Sequence, residues 1–310
     1  LIHLIDNSDA TVVVYHSEFQ HYVDEIKNQL PGVKHWLVVD NGNASNYEDM
    51  ANKGDGSSPG IKHSADDLLF LYTGGTTGFP KGVMLTHTNL VGNAKSMADC
   101  MNLSPEDTMC IPVPFFHCFG CVIGTLCCMV SGSTMAPVVA FTPKDVMETI
   151  DREKCTVILG VPTMFIAELE EMGHKTYDTS HLRTGVMAGS PCPIEVMKAV
   201  VDKMGASEMT IVYGQTEASP GITQTRVDDS LELRVTTVGR SLLGVEVKIV
   251  DIYGEEVPRG EQGELCSRGY NTMKGYYKME EATRETIDAD NWLHTGDLAV
   301  MDEAGNCKIT

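Results

Sequence analysis

Short apolar runs alternate with amphipathic stretches along most of the chain. Thr11–Tyr15 reads as a strand, Gln20–Leu30 as a helix and His35–Val39 as the next strand. The polar segment Asn41–Ser64, with its Gly, Asn, Ser and Pro, reads as a surface loop or linker. Leu68–Tyr72 is again strand-like. In Thr88–Met101, Leu90, Val91, Ala94, Met97, Ala98 and Met101 recur at helical spacing. Strand-like runs follow near Thr108–Pro112, Thr134–Ala140, Thr156–Gly160, Thr184–Met187 and Thr210–Tyr213. Helical stretches lie between them at Lys144–Glu153, Thr163–Glu171 and Ile194–Met204. This alternation predicts an α/β architecture with parallel sheets flanked by helices. After about Thr236 the texture changes to short alternating runs, such as Val245–Val250, between Gly, Pro and charged turns. A small antiparallel, β-barrel-like subdomain is predicted there. The expected division is 1–65, 66–235 and 236–310.

Charge narrows the choice of partner. Among 310 residues, 23 Lys and Arg face 43 Asp and Glu, a formal net charge of −20. Such a polyanion is a poor partner for nucleic acid or an anionic membrane. An anionic ligand would need backbone N–H groups, a single lysine or a bound cation. The ten cysteines sit mostly inside apolar runs without a disulfide spacing, which predicts reduced thiols and a cytoplasmic protein. His117-Cys118-Phe-Gly-Cys121 invites a zinc or redox reading, but no second ligand pair follows it. From Thr108 to Pro143 only His and Cys are ionisable. The longest helix-like piece there, Cys118–Val130, is too short to span a bilayer, so no membrane span is predicted.

The richest chemistry lies in Leu71-Tyr-Thr-Gly-Gly-Thr-Thr-Gly-Phe-Pro-Lys-Gly82, placed after a strand and before a helix. Gly74, Gly75 and Gly78 allow close backbone approach and positive φ. Successive N–H groups in such a loop form an anion-binding concavity. Thr73, Thr76 and Thr77 add hydroxyls and Lys81 adds one positive charge. These are the parts a polyphosphate needs, although the string is neither a Walker A loop nor GxGxxG. A glycine-rich turn with solvent-facing threonines is the plainer alternative.

The loop resembles the signature of the adenylate-forming superfamily: acyl-CoA synthetases, peptide-synthetase adenylation domains and beetle luciferases. Further segments match in the family's order: Pro114–His117 (PFFH), Gly189–Pro193 (GSPCP), Tyr213–Glu217 (YGQTE), Gly263–Tyr277 and His294–Asp297 (HTGD). The resemblance covers essentially the whole chain and implies a role for each matched residue. Thr73, Gly74, Gly75, Thr76, Thr77, Gly78 and Lys81 would handle the β- and γ-phosphates of ATP; position 74 is often Ser in the family. Gly189, Ser190 and Pro191 would line the adenine edge. Tyr213 would stack on adenine beside Gly214 and Gln215, Thr216 would donate to the α-phosphate, and Glu217 would hold Mg2+, a hard cation suited to carboxylate and phosphate oxygens. Asp297 would accept from the ribose hydroxyls, and Ile309 would pack near the nucleotide. His117 would border the acyl pocket and the path of the CoA thiol.

The implied activity is ATP-dependent conversion of a small carboxylic acid, with CoA as cosubstrate, to an acyl-CoA through an acyl-adenylate. Lys81, His117, Thr216 and Glu217 would be its catalytic residues. Peptide-synthetase domains usually carry an Asp just after the Phe, where this chain has His117. That favours an acid lacking an α-amine, and Ala188–Pro193 and Tyr213–Pro220 look most like medium- to long-chain fatty acyl-CoA synthetases. An aryl- or amino-acid-activating domain and a catalytically silent nucleotide-binding scaffold are the alternatives. The resemblance also implies a mobile C-terminal domain beyond a Gly-Arg hinge, so the chain is expected to be an internal fragment. Oligomeric state is not legible.

Overall fold

The computed structural model describes residues 1–39, 46–58, 60–74 and 79–310. A seven-stranded mixed sheet forms the centre, in the order Arg240–Ser241, Gly221–Gln224, Glu208–Gly214, Thr184–Met187, Val157–Gly160, Thr108–Ile111, Thr134–Pro137. The last five strands in that order run parallel. Val157–Gly160 and Thr184–Met187 are buried at every position, as expected where helices cover both faces. Two apolar clusters share the sheet. One includes Met97, Ile111, Val122 and Leu159; the other includes Met147, Ile158, Phe165 and Met197.

The amino ends of three parallel strands are tied by one partly buried network around the buried Asp107. Arg183 donates from Nε and Nη2 to the two carboxylate oxygens of Asp107 at 3.0 and 2.7 Å, and from Nη1 to Glu208 at 2.9 Å. Burial opposes ionisation of Asp107, but the Arg183 guanidinium and the Thr156 hydroxyl outweigh it and hold the carboxyl below its usual range. With that end fixed, the loops at the opposite, carboxyl ends are free to build a site.

The predicted strands and helices are largely present, with instructive departures. Within the expected loop Asn41–Ser64 a short helix runs Asn46–Ala51. Its Asn46 side chain is bonded to the backbone of Trp36 and Val38, so contact with the neighbouring strand folds a stretch whose composition signals a loop. The helix expected over Cys118–Val130 opens as a π-helix, Phe119–Leu126, and continues as Cys127–Ser131. The glycine-rich segment does not lead straight into a helix. Leu68–Thr73 and Lys81–Thr86 pair antiparallel, so the segment connects a hairpin, and the helix His87–Cys100 begins after it with a Thr86–Asn89 capping box. Gly275–Tyr276 adds a third strand to this hairpin. Past residue 236, Val245–Val250, Gln262–Gly269, Leu293–Met301 and Cys307–Ile309 form a curled four-stranded antiparallel sheet. Among the described residues no helix is long and apolar enough to cross a membrane.

Candidate active site

A cavity of about 480 Å3 opens where the carboxyl ends of the parallel strands meet the antiparallel sheet. It brings together Gly189, Ser190, Pro191, Tyr213, Gly214, Asp297 and Ile309, all expected from sequence. Gly189 has φ +87°, a conformation L side chains rarely adopt, which lets the chain turn sharply along the cavity wall. At Gly214 a Cβ would lie 1.9 Å from the Pro220 carbonyl oxygen, so the close pairing of this strand end with the next segment requires glycine. The Tyr213 hydroxyl donates to Asp297 Oδ2 at 2.8 Å. Burial, and then the neighbouring carboxylate, push the Tyr213 phenol well above its usual range, so it is a hydrogen-bond donor at neutral pH.

Asp297 reaches the cavity through a bulge. Glu264 pairs with Leu298 and Cys266 with His294, so Thr295, Gly296 and Asp297 stand opposite Leu265 alone. The surplus residues are anchored: Thr295 Oγ1 donates to the Leu265 carbonyl at 2.7 Å, and the Gly296 N–H donates to Glu264 Oε1 at 2.9 Å. Glu264 is therefore a bracing residue that motif matching did not single out.

A second group surrounds Tyr276. Its hydroxyl donates to Glu217 Oε1 at 2.7 Å, while Lys81 Nζ lies 4.3 Å from the centre of its ring. The two expected charged groups are thus joined through a tyrosine placed by the strand Gly275–Tyr276. Burial and the Glu217 carboxylate push the Tyr276 phenol well above its usual range. Glu217 Oε2 has no hydrogen-bond partner among the described residues, which leaves a hard oxygen donor for a divalent cation.

Thr216 and His117 approach each other across Cys118. The Cys118 Sγ is 3.7 Å from Thr216 Oγ1 and 3.6 Å from His117 Nδ1. The N–H of Phe119 donates to His117 Nδ1 at 3.1 Å, which leaves Nε2 as the protonated nitrogen of the neutral ring. His117, Phe115 and Phe116 are exposed. Burial pushes the Cys118 thiol up to about 11, so it is a neutral packing group. Gln215 contributes its N–H to the Pro220 carbonyl at 3.0 Å. Thr73 lies opposite Lys81 at the end of the hairpin, and no described residue stands within 4 Å of a Cβ built on Gly74. Gly75, Thr76, Thr77 and Gly78 lie outside the described residues.

The cavity also contains residues that motifs did not flag. Arg234 is buried, donates from Nη1 to the Ser207 and Met209 carbonyls at 2.8 Å each, and leaves Nε without a partner among the described residues. Lys308 lines the same space. Arg234 lies within the short helix Leu231–Thr236, and nothing in its spacing marks it. Among the described residues Cys118 and Cys121 belong to no cluster of three or more possible metal ligands; the cluster found there is Glu264, Cys266 and His294.

A family model described as AMP-binding enzyme matches residues 1–277. The chain belongs to this family. The expected adenylate-forming resemblance is thereby met, and relatives of the AMP-binding enzymes sharpen it. "Putative acyl-CoA synthetase YngI" of Bacillus subtilis (strain 168) is 63% identical over 240 residues, 77% of this chain and 44% of that protein. "Medium-chain acyl-CoA ligase ACSF2, mitochondrial" of Danio rerio is 42% identical over 248 residues, 79% of this chain and 41% of that protein. A crystal structure of a long-chain-fatty-acid-CoA ligase (FadD1) from Archaeoglobus fulgidus superimposes with a TM-score of 0.88 at 29% identity, covering 100% of this chain and 64% of that one. The chain thus spans less than half the length of these two curated relatives.

Proposed function

We propose that the protein to which this chain belongs is an AMP-forming acyl-CoA synthetase acting on a medium- to long-chain fatty acid. The observation that carries the reading is the convergence of Gly189–Pro191, Tyr213, Gly214, Asp297 and Ile309, separate in sequence, on one nucleotide-sized cavity. The names of the relatives support the acyl-CoA class.

In this reading the adenine lies along Gly189–Pro191 against Tyr213, and Asp297 takes the ribose hydroxyls while keeping its bond from Tyr213. The glycine loop and Lys81 hold the outer phosphates. Glu217 would hold Mg2+, which supplies neutralisation of phosphate charge when bound. Tyr276 orients Glu217 and holds the Lys81 ammonium over its ring. Thr216 donates toward the α-phosphate as the acid's carboxylate oxygen attacks phosphorus and pyrophosphate leaves. The CoA thiol sulfur then attacks the acyl carbonyl and AMP departs. Fixed donors aimed at developing charge provide most of the catalysis. His117, with Nε2–H exposed, stands where acid and thiol would enter. The units 1–65, 66–235 and 236–310 are the corresponding subdomains. Ten free cysteines fit a reducing compartment, for which we propose the cytoplasm.

The test is pyrophosphate release by the full-length protein with ATP, Mg2+ and straight-chain, aryl and amino acids, with and without CoA. Release with fatty acids and thioester formation only with CoA is the expected result. Release with amino acids and no CoA turnover would replace the reading with a carrier-dependent adenylation domain. No release with any acid would leave a nucleotide-binding scaffold.

A further inference from the structure

Beside the bulge that presents Asp297 lie three donors of different chemistry. Glu264 and Cys266 come from one strand, and His294 stands opposite Cys266 on the next. Cys266 Sγ is 3.4 Å from His294 Nδ1, and Glu264 Oε2 is 2.8 Å from the same nitrogen. The three donor atoms all lie within 4.8 Å of one another.

Hydrogen bonding at Nδ1 serves Glu264 or the Cys266 thiol, not both at once. A ring nitrogen offers one in-plane position, either a proton or a lone pair. Nδ1 donates to Glu264 or accepts from the thiol, and the other partner is left over. A cation at the common focus takes a lone pair from all three. Tetrahedral bonds of about 2.3 Å to sulfur and about 2.0–2.2 Å to nitrogen and oxygen imply donor separations on the order of 3.2–3.6 Å, against 2.8 and 3.4 Å to Nδ1 and at most 4.8 Å between the other two here. On the far side of the ring, Asp288 Oδ2 is 3.6 Å from His294 Nε2. A carboxylate behind the second nitrogen is the usual support for a metal-bound imidazole.

The geometry points to a binding site for a borderline divalent transition ion, Zn2+ foremost, formed by Glu264, Cys266 and His294 with Asp288 orienting the ring. A thiolate–imidazole–carboxylate set selects such an ion over Mg2+ or Ca2+. Binding releases the thiol proton to solvent, and the two negative ligands balance the ion's charge. The Glu264 and His294 side chains are 29% and 30% exposed, which leaves an approach for the ion and room for water as a fourth ligand. This site is distinct from the Mg2+ role of Glu217 and does not depend on the acyl-CoA reading.

The test is Co2+ titration of the purified full-length protein under a non-thiol reductant, followed by Zn2+ displacement. One equivalent of Co2+ should give a thiolate charge-transfer band and the intense visible bands of a tetrahedral ion, both removed by Zn2+. Cys266→Ser should abolish the charge-transfer band, and His294→Ala should weaken Zn2+ binding by more than about tenfold. Asp288→Asn, a partly exposed change that spares the core, should weaken it about 10- to 100-fold. Absence of the band in the native protein overturns the assignment. So does a band that persists in Cys266→Ser, which would belong to other thiols. If Cys266→Ser fails to fold, unaltered Zn2+ affinity in a folded Asp288→Asn has the same effect.

Discussion

Glu168 sits in the helix Pro162–Glu171 with no exposed surface, and neither carboxyl oxygen has a hydrogen-bond partner among the described residues. Burial pushes its titration from the ordinary 4.5 up to about 8. The native state therefore keeps a proton that the unfolded chain has lost. Stability is full below pH 4.5, falls as pH rises between 4.5 and about 8, and is flat above. Each pH step across that window costs about 1.4 kcal/mol, so the ceiling is about 4–5 kcal/mol; water entry and local relaxation lower the measured figure. Glu168→Gln keeps the size and removes the ionisation. We expect urea unfolding at pH 5 to give nearly equal stabilities for the two proteins, and at pH 8 to favour the variant by about 2–4 kcal/mol. A difference that stays constant from pH 5 to pH 8 would refute the reasoning, because it would mean that the carboxyl does not change its proton on unfolding in this range.

Tyr276→Phe removes the hydroxyl from Glu217 and keeps the ring under Lys81. A hydrogen bond to a charged acceptor contributes about 1.5–3 kcal/mol, so ATP–pyrophosphate exchange by the full-length protein should fall roughly 10- to 100-fold and require more Mg2+; an unchanged Mg2+ dependence would remove Tyr276 from the site. Asp297→Ala should weaken ATP binding by a similar factor, measured by titration calorimetry, with the fold intact by circular dichroism. Gly214→Ala drives a Cβ against the Pro220 carbonyl; overpacking of this kind costs about 1–3 kcal/mol or more, and an unaltered melting temperature would contradict the close approach.

The parallel strands were legible because most are short runs dominated by apolar residues, Val157–Gly160 above all, set between amphipathic stretches. Gly189–Pro191, Tyr213, Gly214 and Asp297 on the cavity wall were legible because they fall in compact motifs. What escaped the sequence depends on partners distant along the chain. Lys81–Thr86 reads as the tail of a glycine loop until Leu68–Thr73 on one side and Gly275–Tyr276 on the other show it to be the middle strand of a sheet. Arg234 and Glu264 act through carbonyls and N–H groups of other strands, and spacing along one segment carries no trace of that. Glu168 occupies an interior position on a helix whose other charges face solvent, so composition hides it.

The three-stranded sheet also bears on recombination. Gly275–Tyr276 pairs with Lys81–Thr86, and the backbone continues this contact from Lys274 to Met84 and from Tyr277 to Gly82. A chimera that took the glycine-rich segment from one parent and the later β-rich segment from another would inherit a mismatched brace behind Lys81 and Glu217. Crossovers at residue 235 therefore separate parts that have to be matched to each other, and grafts that carry residues 274–277 along with the hairpin keep them together.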